Sequence, residues 1–125
     1  MRSILEALKE PAYAIMRISF GLLFACHGAQ KLFGAFGGTQ ESMGLMWIAG
    51  LVELVGGLAI TFGLFTSLSA LLSSGQMLIA YMMAHQPKAA LPIQNNGELA
   101  LLYAFAFLLI LCKGSGIWSL DKQKT

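Results

Sequence analysis

The chain has 125 residues, of which 57% are hydrophobic and 11% charged, with a formal net charge of +2 and a mean hydropathy of +0.70. A soluble domain carries roughly 25% charged residues, and one this short has too little interior for so much apolar surface, whereas a bilayer can cover it. Composition therefore points to a single integral membrane domain over residues 1–125. The small charge, with no basic stripe, excludes nucleic acid as a partner.

In chain order, "MRSILEALKEPAY" is mixed in charge and lacks an apolar core, so it is not a cleaved secretion signal. Ser3–Glu10 places Ile4, Leu5 and Leu8 on one side and charges on the other, which predicts a short helix lying at the membrane surface. Pro11 suits the first turn of a first span over about 12–33. The glycine-rich "GAFGGTQESMG" connects it to a second span over about 46–65. From Leu54 to Pro87 there is no Asp, Glu, Lys or Arg, too long a run for one crossing. "TFGLFTS" must hold a tight turn, and a third span follows over about 68–85. "QPKAALPIQNNG", with two prolines and Asn-Asn-Gly, is a loop. The fourth span, about 98–113, is short for a full crossing. The expected fold is all-α: a membrane four-helix bundle with a short N-terminal interfacial helix.

Four spans put both termini on one side. That side holds Arg2, Lys9, Lys113, Lys122 and Lys124, against Lys31 and Lys88 on the other. The positive-inside rule then places both termini in the cytoplasm and both long loops outside.

Depth along each helix, at about 1.5 Å per residue, shows which polar groups share a level. His27 falls roughly 22 Å from the cytoplasmic edge and Glu53, on the returning helix, about 20 Å from it. Gln30 and Lys31 stand one turn further out, His85 ends the third span and Glu98 opens the fourth. Together they line an expected outer chamber. Glu53, between Gly50 and Gly57 on its own helix face, is costly at mid-membrane and needs a partner. It would be ionised against Arg17 or Lys31, or protonated and bonded to His27. As a structural pin or as a functional group it weighs evenly.

Arg17, about 8 Å from the inner edge, can snorkel outward or turn into the bundle. Gly21, Phe24, Gly28 and Lys31 on its face favour the inward course. Gln76 and Asn96 are the other expected buried polar groups, with an interhelical hydrogen bond the expected job of Gln76. His27 and His85 come from different helices at similar depth, as two haem ligands would. A hydrogen-bonded pair near a wet interface weighs more, so no metal is assigned and haem is disfavoured as a cofactor. Cys26 and Cys112 lie roughly 15–20 Å apart along the membrane normal and cannot pair within one chain.

Arg17, "HGAQKLFG", "GLVELVGGLAITFGLFT", "NNGELALLYAF" and "GSGIWSLD", in that order over Ile15 to Asp121, resemble the DoxX family. The resemblance implies a small four-helix protein of the bacterial inner membrane. Arg17, His27, Gln30, Lys31, Glu53, Asn96, Glu98 and Asp121 occupy its motif positions. The wider group is similar to a membrane subunit of an archaeal thiosulfate:quinone oxidoreductase, and other relatives are linked to redox complexes with soluble enzymes. The expected function is a redox-associated accessory protein, working with a soluble or membrane redox enzyme. Its outer pocket of His27, Gln30, Lys31, Glu53, His85 and Glu98 would bind a quinone or similar lipophilic ligand. The alternatives are a non-enzymatic scaffold and, as a homo-oligomer, a small-solute pathway. Whether the protein is an enzyme stays open.

Overall fold

The computed structural model describes residues 1–122, and all regular secondary structure among them is helical. Helix α1 runs over Arg2–Phe33, α2 over Leu45–Phe62 and α3 over Thr66–Ala80. A π-helical turn, Tyr81–His85, extends α3; the four-residue α4 spans Pro92–Asn95, and α5 spans Glu98–Lys113. Three of these stretches are long and apolar enough to cross a membrane: Arg2–Phe33, Leu45–Phe62 and Thr66–His85. Glycine punctuates them. Gly34 ends α1 and Gly63 ends α2, both in the left-handed region (φ 68° and 66°) that lets the terminal carbonyls find backbone donors. The α2–α3 turn falls inside "TFGLFTS", as the long charge-free run required.

One expectation is corrected here. Ser3–Glu10 is not a separate interfacial helix: α1 continues through Pro11 without a break. Proline removes one helical hydrogen bond, which orphans the carbonyl four residues earlier. That carbonyl belongs to Ala7, in a stretch whose first ten residues are all exposed, so solvent satisfies it.

Helices α1 and α2 meet backbone to backbone. A Cβ on Gly28 would stand 2.6 Å from Gly50 O, and one on Gly57 would stand 2.5 Å from Ala25 N and 2.6 Å from Gly21 O. Gly21 and Gly28 are seven residues apart, as are Gly50 and Gly57, so an antiparallel pair brings the two sets together twice. Helices α3 and α5 pair differently, through side chains such as Ser74, whose hydroxyl donates to Ala104 O at 2.7 Å. Aromatic rings join the two pairs at the centre: Phe24 of α1 packs on Phe107 and Tyr103 of α5, with centroids 4.8 and 5.2 Å apart. Outward-facing Leu22, Val55, Leu72 and Leu108 are nearly half exposed or more, which suits contact with lipid rather than water.

Arg17 turns inward, and completely: its exposure is 0%. Its Nε donates to Ile60 O (3.0 Å) and Nη2 to Thr61 O (3.3 Å), carbonyls of the last turn of α2. Nη1 donates to Ser115 O and Ile117 O (2.9 Å), and Nη2 to Trp118 O (2.7 Å). The guanidinium thus fastens residues 115–118, which follow α5, to the negative end of α2. The same strap continues to Asp121, whose carboxylate accepts from Phe65 N and Thr66 N at 2.8 Å each and caps α3. Burial acts to raise the Asp121 carboxyl, but the hydrogen bonds from Thr66 and Phe65 and the nearby Arg17 charge prevail and hold it below the usual carboxylate range.

Candidate functional site

At the opposite end, where the long connections lie, the four long helices leave a cavity of about 870 Å³. Its polar floor starts with Lys31 in the last turn of α1, where a cation suits the helix dipole. Gly50 on α2 leaves the lane for the lysine stem, since a Cβ there would stand 2.7 Å from Lys31 Cβ. The ammonium therefore reaches Glu53 Oε2 and forms an ion pair with it. Glu53 is only 1% exposed, so the pairing offsets a large desolvation cost. Gln76, arriving from α3, donates to the same Oε2 at 3.0 Å and to Ala49 O at 3.3 Å. Of the partners open to Glu53, Lys31 takes the position; Arg17 is engaged at the other end.

The rim is built by the π-helical turn and the loop after it. Gln86 N donates to Tyr81 O at 2.9 Å, five residues back, and the widened turn carries His85 to the cavity. His85 Nδ1 lies 3.0 Å from Asn95 O. A ring nitrogen facing a carbonyl is the N–H donor, which leaves Nε2 as the acceptor of the neutral ring. Asn95, fully buried, ties the loop together: Nδ2 donates to Tyr81 Oη and to Ala89 O at 3.1 Å each, and Oδ1 accepts from Gly97 N at 2.8 Å.

The remaining walls are apolar. Ile48, Leu72, Ile79 and Met83 line the cavity while each is more than half exposed, so it opens sideways between α2 and α3 towards the lipid. Gly75 lines it too, and a Cβ there would meet no atom within 4 Å. Large, mostly apolar, with a few convergent polar groups: this is the usual make-up of a small-molecule site.

The cavity brings together His27, Lys31, Glu53, Gln76, His85 and Asn96. Gln30 and Glu98 lie outside it: Gln30 Nε2 donates to Phe36 O at 3.3 Å in the α1–α2 connection, and Glu98 is exposed in the first turn of α5. Asn96 is exposed rather than buried. It takes the left-handed cap position after α4 (φ 60°), which turns its neighbour Asn95 inward instead. Two residues escaped sequence reasoning, Asn95 and Tyr103. The Asn-Asn-Gly signal could have flagged the first, since a capping asparagine and a buried one exchange roles with a shift of one residue. Tyr103 is hidden in an aromatic run that reads as core.

The DoxX family model matches residues 12–86. The chain belongs to the DoxX family. The match covers the DoxX portion from the start of the expected first span to the π-helical turn, and so takes in Arg17, His27, Lys31, Glu53, Gln76 and His85. The α5 wall with Tyr103 lies beyond it. Among relatives of this DoxX chain, an uncharacterized protein of Haemophilus influenzae is 34% identical, with 95% of each chain covered. The "Inner membrane protein YqjF" of Escherichia coli is 31% identical over 94% of this chain and 95% of its own. The "Putative oxidoreductase CatD" of Bacillus subtilis is 27% identical over 86% and 82%. No solved structure matches.

Proposed function

We propose that this protein is a redox-associated four-helix component of the bacterial inner membrane whose cavity takes a quinone-like ligand from the bilayer. The observation that carries the reading is the cavity itself: apolar, open towards lipid, and floored by Lys31, Glu53 and Gln76. A quinone needs an apolar slot for its ring and tail, and donors for its carbonyl oxygens. Lys31 and His27 supply donors. Glu53, held by Lys31 and Gln76, and His85, with its acceptor nitrogen, are groups able to exchange protons as a bound ring changes oxidation state. The Escherichia coli relative's name supports the inner membrane, and the Bacillus subtilis relative's name supports redox chemistry. A soluble or membrane redox enzyme is the partner this reading requires.

In this reading α5, 16 residues and about 24 Å long, is the fourth crossing. The termini face the cytoplasm. Support comes from Arg2, Lys9, Lys113 and Lys122 at the strap end, against Lys31 and Lys88 at the cavity end.

The test is an oxidised-minus-reduced absorption spectrum of protein purified in mild detergent with its lipids retained, alongside Gly75→Phe. Gly75 lines the cavity and a Cβ there meets no neighbouring side chain, so this substitution adds a ring at the cavity wall. A quinone-like ultraviolet change in the wild type that disappears in a folded Gly75→Phe is expected. A flat wild-type spectrum would sink the reading.

A further inference from the structure

We propose that the Tyr103 hydroxyl is the anchoring hydrogen-bond donor for a ring carbonyl of the ligand, so that the site selects a quinone over a hydrocarbon of the same shape. The inference rests on the cavity reading above and names a residue that it does not use. Tyr103 is 3% exposed and lines the cavity. Its ring is jacketed by aromatic neighbours: Phe20 at 5.7 Å, Phe24 at 5.2 Å, Phe107 at 5.6 Å and the edge of His27 at 5.8 Å, centroid to centroid. Phenylalanine would satisfy every one of those contacts. The hydroxyl is the part left unexplained.

A tyrosine hydroxyl in a folded core normally finds a hydrogen-bond partner in the protein, and one that opens on a cavity can find it there instead. Ser74 in the same core follows this, with its hydroxyl on Ala104 O at 2.7 Å, while its neighbour Ser73 has a buried hydroxyl with no partner among the described residues. The Tyr103 hydroxyl makes no hydrogen bond among the described residues. The open side of Tyr103 is the cavity. Nothing in the fold requires the oxygen there, whereas a ligand carbonyl would satisfy it. His27 also lines the cavity, stands perpendicular to the Tyr103 ring and likewise makes no hydrogen bond among the described residues, so the two form a polar corner where α1 meets α5.

The experiment is calorimetric titration of wild type and Tyr103→Phe, in detergent, with menadione and with 2-methylnaphthalene. Gly75→Phe, which adds a ring at the cavity wall, serves as the blank for micelle partitioning. Tyr103→Phe is expected to weaken menadione binding roughly tenfold, the scale of one hydrogen bond, and to leave 2-methylnaphthalene unchanged. Equal affinities of wild type and Tyr103→Phe for menadione would overturn the role of Tyr103 while leaving the cavity reading standing. Equal weakening for both probes would overturn it too, by showing that the residue acts through packing. Wild-type heats no larger than the blank for either probe would overturn both readings.

Discussion

Arg17→Lys keeps the charge at the strap and removes the geometry. The guanidinium makes five hydrogen bonds to carbonyls from two separate segments, residues 60–61 and 115–118. An ammonium has three donors at one point, so at least two of the five are lost. Three of the five, to Ile60, Thr61 and Ser115, are buried, where water offers no replacement. Hydrogen bonds to charged groups contribute about 1.5–3 kcal/mol each, so Arg17→Lys should destabilise the fold by at least about 3 kcal/mol. The assay is unfolding by titrated SDS in mixed micelles, with Trp118 as the fluorophore in a Trp47→Phe background. Trp118 should respond first, because its own carbonyl is one of the five. Stability within about 1 kcal/mol of wild type, with unchanged Trp118 emission, would refute the reasoning that geometry rather than charge holds the strap.

Other variants probe the remaining elements. Lys31→Met leaves Glu53 buried without its cation and should cost about 3 kcal/mol, the low end for a broken buried pair because Lys31 keeps 25% of its side chain exposed; adding Glu53→Gln should recover most of the loss in the same titration. Gly28→Val drives a side chain into backbone atoms of Leu54 and Gly50 and should cost at least about 3 kcal/mol, whereas Gly75→Ala, facing open space, should stabilise by about 0.5–1 kcal/mol. Because the Asp121 carboxyl titrates below its ordinary value in the folded state, its capping contribution is complete above about pH 3.9 and is lost as pH falls through the lower folded value. Asp121→Asn should remove most of that contribution, about 1 kcal/mol, and flatten the acid limb of a melting-temperature profile.

Much of the architecture could be read from the chain because its signals are local. A 34-residue stretch without charge forces a turn, glycines seven apart announce a close helix pair, and a carboxylate at mid-membrane demands a partner within reach. What escaped is non-local or untyped. Arg17 binds backbone carbonyls, and a carbonyl is the same at every residue, so nothing in "GSGIWSLD" names its partner. Pro11 reads as a helix start by position, but solvation of one exposed carbonyl lets the helix run through it. Tyr103 looks like any core aromatic until the fold places it on the cavity wall, with no hydrogen bond to its hydroxyl among the described residues.

The strap, the α2–α3 turn and the α3 cap all lie at one end of the molecule. At the other end, the hydrogen bonds seen between the long parts of α2 and α3 are the two from Gln76. The α2–α3 pair is welded at its base and held further along by one amide. Widening the gap between α2 and α3 breaks two hydrogen bonds, while the same displacement at the base would break those of Arg17 and Asp121 together. Displacement between α2 and α3 therefore costs fewer hydrogen bonds beside the cavity than at the strap, where the base keeps its register.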